Sequence, residues 1–181
     1  MKLLLKIYWN NINPYDLLQI LDVINSKITD KENIKIYLMT NELTFDFEPY
    51  EYFYSSETSI PKMINMNLDI IDWDIVLPIY KIAVVANLDK VVNRYSELFP
   101  DLDGVLLLND AHPVIGRKYY EKFGYVYNPV YKYKHFDDEF MKVFRKLEKF
   151  NFLDGVPFKL LELKSDDDNI YEMRERLNFG L

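Results

Sequence analysis

Residues 72–108 read DWDIVLPIYKIAVVANLDKVVNRYSELFPDLDGVLLL, and this stretch decides the predicted fold. Two short apolar runs, Ile75–Ile79 and Gly104–Leu108, are typical of buried strands. Leu88–Leu98 between them is predicted to be a helix that ends before Pro100. A helix that joins two such strands is a crossover connection, which predicts that the strands run parallel in an α/β domain.

The alternation of strands and helices continues on both sides of this stretch. The sequence therefore predicts one domain over residues 1–181, with a mainly parallel sheet and helices on both of its faces. In such a sheet ligands bind beyond the carboxyl ends of the strands, so the loops at those ends are the candidate site. The other predicted strands are Leu3–Tyr8, Ile34–Met39, Tyr50–Tyr54 and Val156–Leu163, and the other predicted helices are Asn13–Ile28, Ser59–Leu68, Gly116–Phe123, Asp137–Phe150 and Asp166–Leu177.

The composition argues against several classes of protein. The chain carries a formal net charge of −7, whereas a protein that tracks nucleic-acid phosphates needs a basic face. It has no cysteine, which excludes disulfides and thiolate metal sites. No apolar run approaches the length of a membrane helix, and the apolar start is too short for a signal peptide. We therefore expect a cytoplasmic protein with no nucleic-acid partner and no membrane span.

Polar side chains follow the predicted strand Gly104–Leu108 at its carboxyl end. Asn109, Asp110 and His112 either close this strand as a polar turn or take part in a ligand site. Two Asp-x-Asp pairs, at 72–74 and 101–103, have the residue type that holds a divalent ion. Both pairs precede a strand, so they are predicted to be solvated turn acids at the opposite end of the sheet.

Charged side chains also stand where two helices begin. Asp137, Asp138 and Glu139 open a helix, where carboxylates cap backbone amides and favour the helix dipole. A carboxylate in this run is also a candidate base that takes a proton from a hydroxyl group. Lys81 and Arg117 are candidate cations for a diphosphate, and Arg117 stands at a helix start, where amide donors point outward. The local sequence leaves both interpretations of each group open.

Six segments along the chain carry a family likeness. They are 72–77 (DWDIVL), 99–106 (FPDLDGVL), 109–110 (ND), 114–127 (VIGRKYYEKFGYVY), 137–140 (DDEF) and 176–180 (RLNFG). Together they resemble small family 2-like glycosyltransferases of bacteria and phages, with a degenerate metal-binding motif. The likeness is collinear over most of the chain and densest from Asp72 to Phe140.

The resemblance implies a fold and an activity. The fold would be GT-A, a three-layer α/β/α Rossmann-like sandwich. The activity would be transfer of a sugar from a nucleotide-diphosphate sugar to an acceptor hydroxyl. Asp110 would lie on the acceptor side, and Asp137 or Glu139 would supply the catalytic base.

The chain departs from the family pattern where the family usually holds a divalent ion. After the strand that ends near Leu77, the family carries a Ser-Asp-Asp type of motif, whereas this chain has Pro78-Ile79-Tyr80-Lys81. An Mg²⁺ or Mn²⁺ ion would therefore need an unconventional site. After the second strand, an expected aspartate is replaced by the stretch 40–42, in which Asn41 or Glu42 is a candidate contact to the nucleotide base.

Two hypotheses follow, because the negative charge of a departing nucleotide must be neutralised. In the first, the chain is an active, metal-independent enzyme in which Lys81 and Arg117 hold the phosphates. In the second, the chain is a catalytically inactive binding or interaction module, and Tyr80 fills the position of the metal. The aromatic and acidic stretch Tyr50–Tyr54 is then a candidate contact surface.

Overall fold

The computed structural model describes residues 1–9, 14–41, 46–80, 87–109 and 112–155. Seven strands in these ranges form a single sheet: β1 (Leu3–Trp9), β2 (Ile34–Thr40), β3 (Glu51–Tyr54), β4 (Ile75–Ile79), β5 (Val105–Leu108), β6 (His112–Gly116) and β7 (Phe150–Leu153). Their spatial order is β3-β2-β1-β4-β6-β5-β7. All neighbouring strands are parallel except β6, which is antiparallel to both β4 and β5.

Helices connect these strands and cover the sheet. The hydroxyl of Ser59 accepts a hydrogen bond from the amide of Lys62 at 3.5 Å and so caps the start of the second helix. Gly124, with φ of 73°, ends the fourth helix in the left-handed conformation that glycine adopts without strain.

No helix in the described ranges has the length and apolar character needed to cross a lipid bilayer. The helices are α1 (Pro14–Ser26), α2 (Ile60–Asn65), α3 (Leu88–Leu98), α4 (Arg117–Phe123) and α5 (Phe136–Leu147).

Apolar side chains are buried on both faces of the sheet. On β1, Leu5 and Ile7 face a cluster that contains the buried side chains of α1 and α3. Leu4 and Tyr8 face the opposite cluster, which contains those of α2, α4 and α5. Successive side chains of a strand point to opposite faces, so a central strand with helices on both sides must be apolar at nearly every position. The predicted mainly parallel sheet with helices on both faces is confirmed.

Two strands of the sheet were not predicted from the sequence. β6 (His112–Gly116) occupies a stretch that we expected to be a loop followed by a helix start. The stretch is short and contains a proline, so its sequence does not resemble a typical strand. β7 begins at Phe150, which we placed at the end of a helix, whereas α5 stops at Leu147 and Glu148 adopts a left-handed φ of 54°. The predicted strand Val156–Leu163 and the predicted helix Asp166–Leu177 lie outside the described residues.

The pairing of β4 with β6 is limited to one end of the two strands. Ile75 pairs with Gly116 and Val76 pairs with Ile115, and no further pair forms between them. If the same register continued along the two strands, Pro78 would lie opposite Pro113. Because proline has no amide hydrogen to donate, it cannot continue a ladder. The sheet is therefore open between β4 and β6 at the carboxyl end of β4.

Candidate functional site

The carboxyl edge of the parallel strands brings together four of the predicted site residues. Asn41 follows β2, Tyr80 follows β4, Asn109 follows β5, and His112 begins the antiparallel strand β6 at the same edge. This edge is where parallel α/β sheets bind ligands. Three other predicted site residues, Glu42, Lys81 and Asp110, lie outside the described residues.

The hairpin between β5 and β6 differs from the loop that we expected. Asn109 adopts a left-handed φ of 51°, and its amide donates to the carbonyl of Leu153 at 3.1 Å. Asparagine tolerates this conformation, so Asn109 acts as a turn residue that ends β5. His112 is a buried strand residue with 9% of its surface exposed and pairs with Leu108. The prediction that His112 lies in a loop was therefore wrong, because the chain reverses after Asn109 and adds a strand.

A hydrogen bond joins the end of β4 to the start of α5. The hydroxyl of Tyr80 donates to Oδ2 of Asp137 at 3.2 Å. The Tyr80 ring packs edge-on against Phe136, at 4.9 Å between centroids, and against Tyr127, at 5.8 Å. These contacts set the first turn of α5 over the open part of the sheet, so Asp137 lies at the carboxyl edge.

The two tyrosines beside Asp137 stay protonated at physiological pH. Burial raises the pKa of Tyr80 and the pKa of Tyr127 well above the usual value for tyrosine, and the negative charge of Asp137 adds to both shifts. The Tyr80 hydroxyl lies near the Tyr127 hydroxyl and influences the pKa of Tyr127. The hydrogen of the Tyr80 hydroxyl, however, is donated to Asp137. Within the described ranges the buried Tyr127 hydroxyl has no hydrogen-bond partner. A buried hydroxyl that is left unsatisfied in this way lowers the stability of the folded chain.

The structure distinguishes between the two carboxylates that we considered as a base. Glu139 is only 3% exposed, and its Oε1 accepts a hydrogen bond from Nδ2 of Asn128 at 3.0 Å. Asp137 is half-buried, and its Oδ1 accepts from the amide of Asp138 at 3.1 Å. Glu139 thus holds the loop before α5 in place, whereas Asp137 is the carboxylate that solvent and a substrate can reach.

Loop 125–135 is fixed to α2 by side chains that sequence analysis missed. Oδ1 of Asn65 accepts the amide of Val126 at 2.8 Å and that of Tyr127 at 3.2 Å, and its Nδ2 donates to the Tyr127 carbonyl at 2.5 Å. The Ser59 hydroxyl donates to the Tyr131 carbonyl at 3.0 Å. These bonds fix the backbone on which the Tyr127 ring depends. The high tyrosine content of this loop was the one feature of the sequence that could have drawn attention to it. Nothing in the sequence around Asn65 indicates that its side chain binds a segment more than 60 residues away.

Arg117 is not brought to this site. Its amide donates to the carbonyl of Asp74 at 2.8 Å, and its Nη1 donates to the carbonyl of Leu68 at 3.0 Å. Its guanidinium stacks over Trp73, at 4.7 Å from the ring centre. Since β6 runs antiparallel, its last residue lies beside the first residue of β4, so Arg117 lies at the amino edge. Tyr80, just beyond the end of β4, is five residues after Ile75, which corresponds to about 16 Å along the strand direction.

The Asp-x-Asp pairs also lie away from the site. Asp74 accepts from the Lys2 amide at 2.7 Å, and Asp72 forms an ion pair with the Lys2 side chain. Asp101 lies 3.6 Å from the Lys118 ammonium. Asp103 forms an ion pair with Lys149. These acids precede β4 and β5, and three of them pair with lysine side chains while Asp74 binds a backbone amide, as expected for turn acids.

The described residues at the carboxyl edge do not fit a divalent metal ion. The first residue after β4 is Tyr80, whose neutral hydroxyl is engaged with Asp137. No group of three or more acidic or histidine side chains in the described part of the chain is arranged to hold a metal. Hard divalent ions bind through several oxygen ligands, with carboxylates as the main protein donors. Asp137 alone, with a tyrosine as its neighbour, is not such a ligand set.

The comparisons with known proteins identify the fold. No family model and no curated protein matches the sequence. The crystal structure of S. aureus TarS matches 99% of this chain and 39% of its own, with a TM-score of 0.69 and 10% identity. TarS 1-349 in complex with UDP matches 95% of this chain and 63% of its own, with a TM-score of 0.67 and 10% identity. TarS 1-349 in complex with UDP-GlcNAc matches 92% of this chain and 60% of its own, with a TM-score of 0.66 and 9% identity.

These likenesses concern the fold. The predicted GT-A-type α/β/α sandwich is confirmed. The chain spans between 39% and 63% of the length of these TarS structures.

Proposed function

We propose that this chain binds a nucleotide-diphosphate sugar at the carboxyl edge of its sheet and transfers the sugar to an acceptor hydroxyl. The observation that carries the proposal is the position of Asp137, a half-buried carboxylate in the first turn of α5 that meets Tyr80 at the end of β4. A carboxylate at this edge of a GT-A sheet stands where donor and acceptor meet in the proposed reaction. The cytoplasmic location expected from the sequence belongs to the same proposal.

In the proposed reaction Asp137 acts as the general base. The acceptor oxygen attacks the anomeric carbon of the donor sugar and forms the new glycosidic bond, while its proton passes to the Asp137 carboxylate. The bond from the anomeric carbon to the phosphate oxygen breaks, and its electron pair leaves with the nucleoside diphosphate.

The donor is proposed to be a uridine-diphosphate sugar. TarS, a GT-A glycosyltransferase, has the same fold over most of this chain, and its structures include complexes with UDP and UDP-GlcNAc. The diphosphate needs positive charge, which in this proposal comes from Lys81, directly after Tyr80 in the sequence. Asn41 and Glu42, after β2, are proposed to contact the uracil, and Asp110 the acceptor.

A transfer assay with a matched pair of variants tests this proposal. UDP release from UDP-GlcNAc is measured with and without Mg²⁺ or Mn²⁺, and UDP affinity is measured by calorimetry. Asp137→Asn is expected to reduce turnover by about 10²–10⁴-fold with little change in UDP affinity, because a general base acts in the chemical step. Asp138→Asn is the control, since Asp138 is the exposed neighbour in the same helical turn. Equal turnover of Asp137→Asn and the unmodified chain would contradict the role of Asp137.

A second function is favoured by one specific contact. The Tyr80 hydroxyl already occupies an oxygen of Asp137, and the rings of Tyr80, Tyr127 and Phe136 fill the end of β4. This arrangement fits a catalytically inactive descendant that acts as a binding module. UDP or UDP-GlcNAc binding without UDP release at any metal concentration would support this function, and turnover that depends on Asp137 would refute it.

A further inference from the structure

The edge strand β3 (Glu51–Tyr54) is unusually exposed for an aromatic segment. All four of its side chains are exposed, and Tyr52, Phe53 and Tyr54 show 40%, 39% and 36% of their surface. Exposed aromatic side chains on both faces of an edge strand are an unusual feature of a folded surface, because large apolar groups are ordinarily covered. Two strands, β2 and β1, lie between β3 and the candidate site at the end of β4, so the exposure of β3 does not serve that site.

Both faces of β3 take part in this exposed surface. β3 pairs with β2 in register, with Tyr52 opposite Leu38 and Phe53 opposite Met39. Leu38 belongs to the core on one face of the sheet and Met39 to the core on the other, so Tyr52 and Phe53 project to opposite faces. In the described ranges no strand pairs with the second side of β3. Such an edge presents a row of backbone donors and acceptors to which another strand can add.

All the charged side chains in the sequence segment around β3 are acidic. Residues 36–61 contain five acidic side chains and no lysine, arginine or histidine. Of these acids, Asp46, Glu48 and Glu51 are exposed, and Glu51 is part of the strand itself. In the described part of the chain, Glu57 is neutralised by a cation further along the sequence, because Lys62 lies 3.2 Å from it. Among the described residues, the β3 edge thus combines exposed aromatic rings with acidic side chains that pair with no cation.

We infer that β3 docks an extended, cationic segment of another protein, which adds to the sheet as an eighth strand beside the seven described. Backbone hydrogen bonds to β3 would supply a sequence-independent part of the affinity. Lysine or arginine at alternate positions of the partner would lie over the aromatic faces and near Glu51. A second copy of this chain is a poorer occupant, since it would set the same acids against each other.

A peptide-binding measurement tests this inference independently of any sugar transfer. The probes are two fluorescent peptides of about ten residues, one alternating lysine with valine and one alternating glutamate with valine. Binding of the lysine peptide that weakens as salt rises, with no binding of the glutamate peptide, is expected. Amide exchange at residues 51–54 is expected to slow when the lysine peptide binds, because the added strand would protect these amides.

Two variants and a control locate the binding surface. Phe53→Lys and Glu51→Lys are each expected to weaken binding of the lysine peptide at least about tenfold, by removing an aromatic face or reversing a charge. Phe152→Lys is the control, because Phe152 is 46% exposed on β7 at the opposite edge of the sheet. Circular dichroism and thermal unfolding verify that each variant is folded.

Several results would overturn the inference. They are equal binding of the lysine peptide to Phe53→Lys, Glu51→Lys and the unmodified chain, equal loss of binding in Phe152→Lys, and no binding of either peptide. Self-association that Phe53→Lys abolishes would assign the β3 edge to a second copy of the chain instead.

Discussion

At the scale of single residues, Lys6 is the least expected feature of the core. It lies in the middle of β1 with no exposed surface, and its Nζ donates to the carbonyl of Met66 at 2.6 Å, just after α2. The ammonium also lies 4.4 Å from the centre of the Tyr37 ring. Burial lowers the pKa of Lys6 to about 7. The charged form is thus disfavoured in the folded chain, although one carbonyl and one aromatic face offset part of that cost.

Replacement of Lys6 is expected to change how stability depends on pH. The folded pKa of about 7 lies below the usual 10.5, so between these values the unfolded chain holds more protons. The free energy of unfolding therefore rises with pH across this window, by at most about 1.4 kcal/mol per pH unit, and the gain is lost as pH falls toward 7. Lys6→Met is expected to remove this slope.

Urea unfolding between pH 6.5 and pH 9.5 measures the slope for Lys6→Met and for the unmodified chain. Lys90→Met is the control, because Lys90 is exposed on α3. Parallel curves for Lys6→Met and the unmodified chain would show that Lys6 keeps its charge in the folded state.

Two buried tyrosine hydroxyls offer a matched pair of substitutions. The Tyr127 hydroxyl has no hydrogen-bond partner in the described ranges, whereas the Tyr95 hydroxyl donates to the carbonyl of Gly104 at 2.7 Å. Tyr127→Phe is expected to raise the free energy of unfolding by about 1 kcal/mol, and Tyr95→Phe to lower it by about 1 kcal/mol or more. Chemical denaturation of both variants provides the measurement. Equal destabilisation would indicate that a partner already satisfies Tyr127.

At the scale of elements, the junction of β6 and α4 sets the position of both. Gly116 ends β6 and precedes α4, and its amide donates to the carbonyl of Gly104 at 3.1 Å. A Cβ atom at Gly116 would lie 2.0 Å from the Leu102 carbonyl oxygen and 2.2 Å from the Tyr95 hydroxyl. The backbone of β6 can approach these groups only because residue 116 has no side chain. The glycine therefore determines how closely the antiparallel strand packs under α3.

Alanine substitutions at two glycines separate packing from backbone conformation. Gly116→Ala is expected to lower the free energy of unfolding by about 3 kcal/mol or more, because neighbouring backbone must move. Gly124→Ala is expected to cost only about 1 kcal/mol, since its site is open and the cost comes from a left-handed φ of 73°. Thermal and urea unfolding compare the two variants, and a smaller loss for Gly116→Ala than for Gly124→Ala would contradict the close packing.

At the scale of the whole molecule, the sheet separates two regions with different roles. The carboxyl edge contains Tyr80, Asp137 and the open part of the sheet between β4 and β6. The amino edge contains Arg117 and the acids that pair with surface lysines. A strand of five residues between Ile75 and Ile79 keeps these regions apart. Residues at the amino edge should therefore affect stability without affecting ligand binding.

Arg117→Met tests this separation. Loss of the bond to the Leu68 carbonyl and of the stacking on Trp73 is expected to lower the free energy of unfolding by about 1–2 kcal/mol. UDP affinity, measured by calorimetry, is expected to stay within about twofold of the unmodified chain. A tenfold weaker UDP affinity with unchanged stability would instead assign Arg117 to the phosphates.

The sequence by itself determined the class of fold and those local elements that carry a strong hydrophobic pattern. Apolar runs such as Ile75–Ile79 and the helical stripe of Leu88–Leu98 were predicted with the bounds that the structure has, because periodicity within a short segment is set by the backbone geometry of that segment. The alternation of such elements was enough to predict a parallel sheet with helices on both faces.

The tertiary structure alone decided which side chains meet. Tyr80 and Asp137 are 57 residues apart and touch, whereas Arg117 is sent to the far edge by the strand β6, which no local pattern predicted. Lys6 is buried although its residue type is typical of surfaces. Contacts between distant segments depend on how the whole sheet is ordered and paired, and that order is a property of all the strands together rather than of any one stretch of sequence.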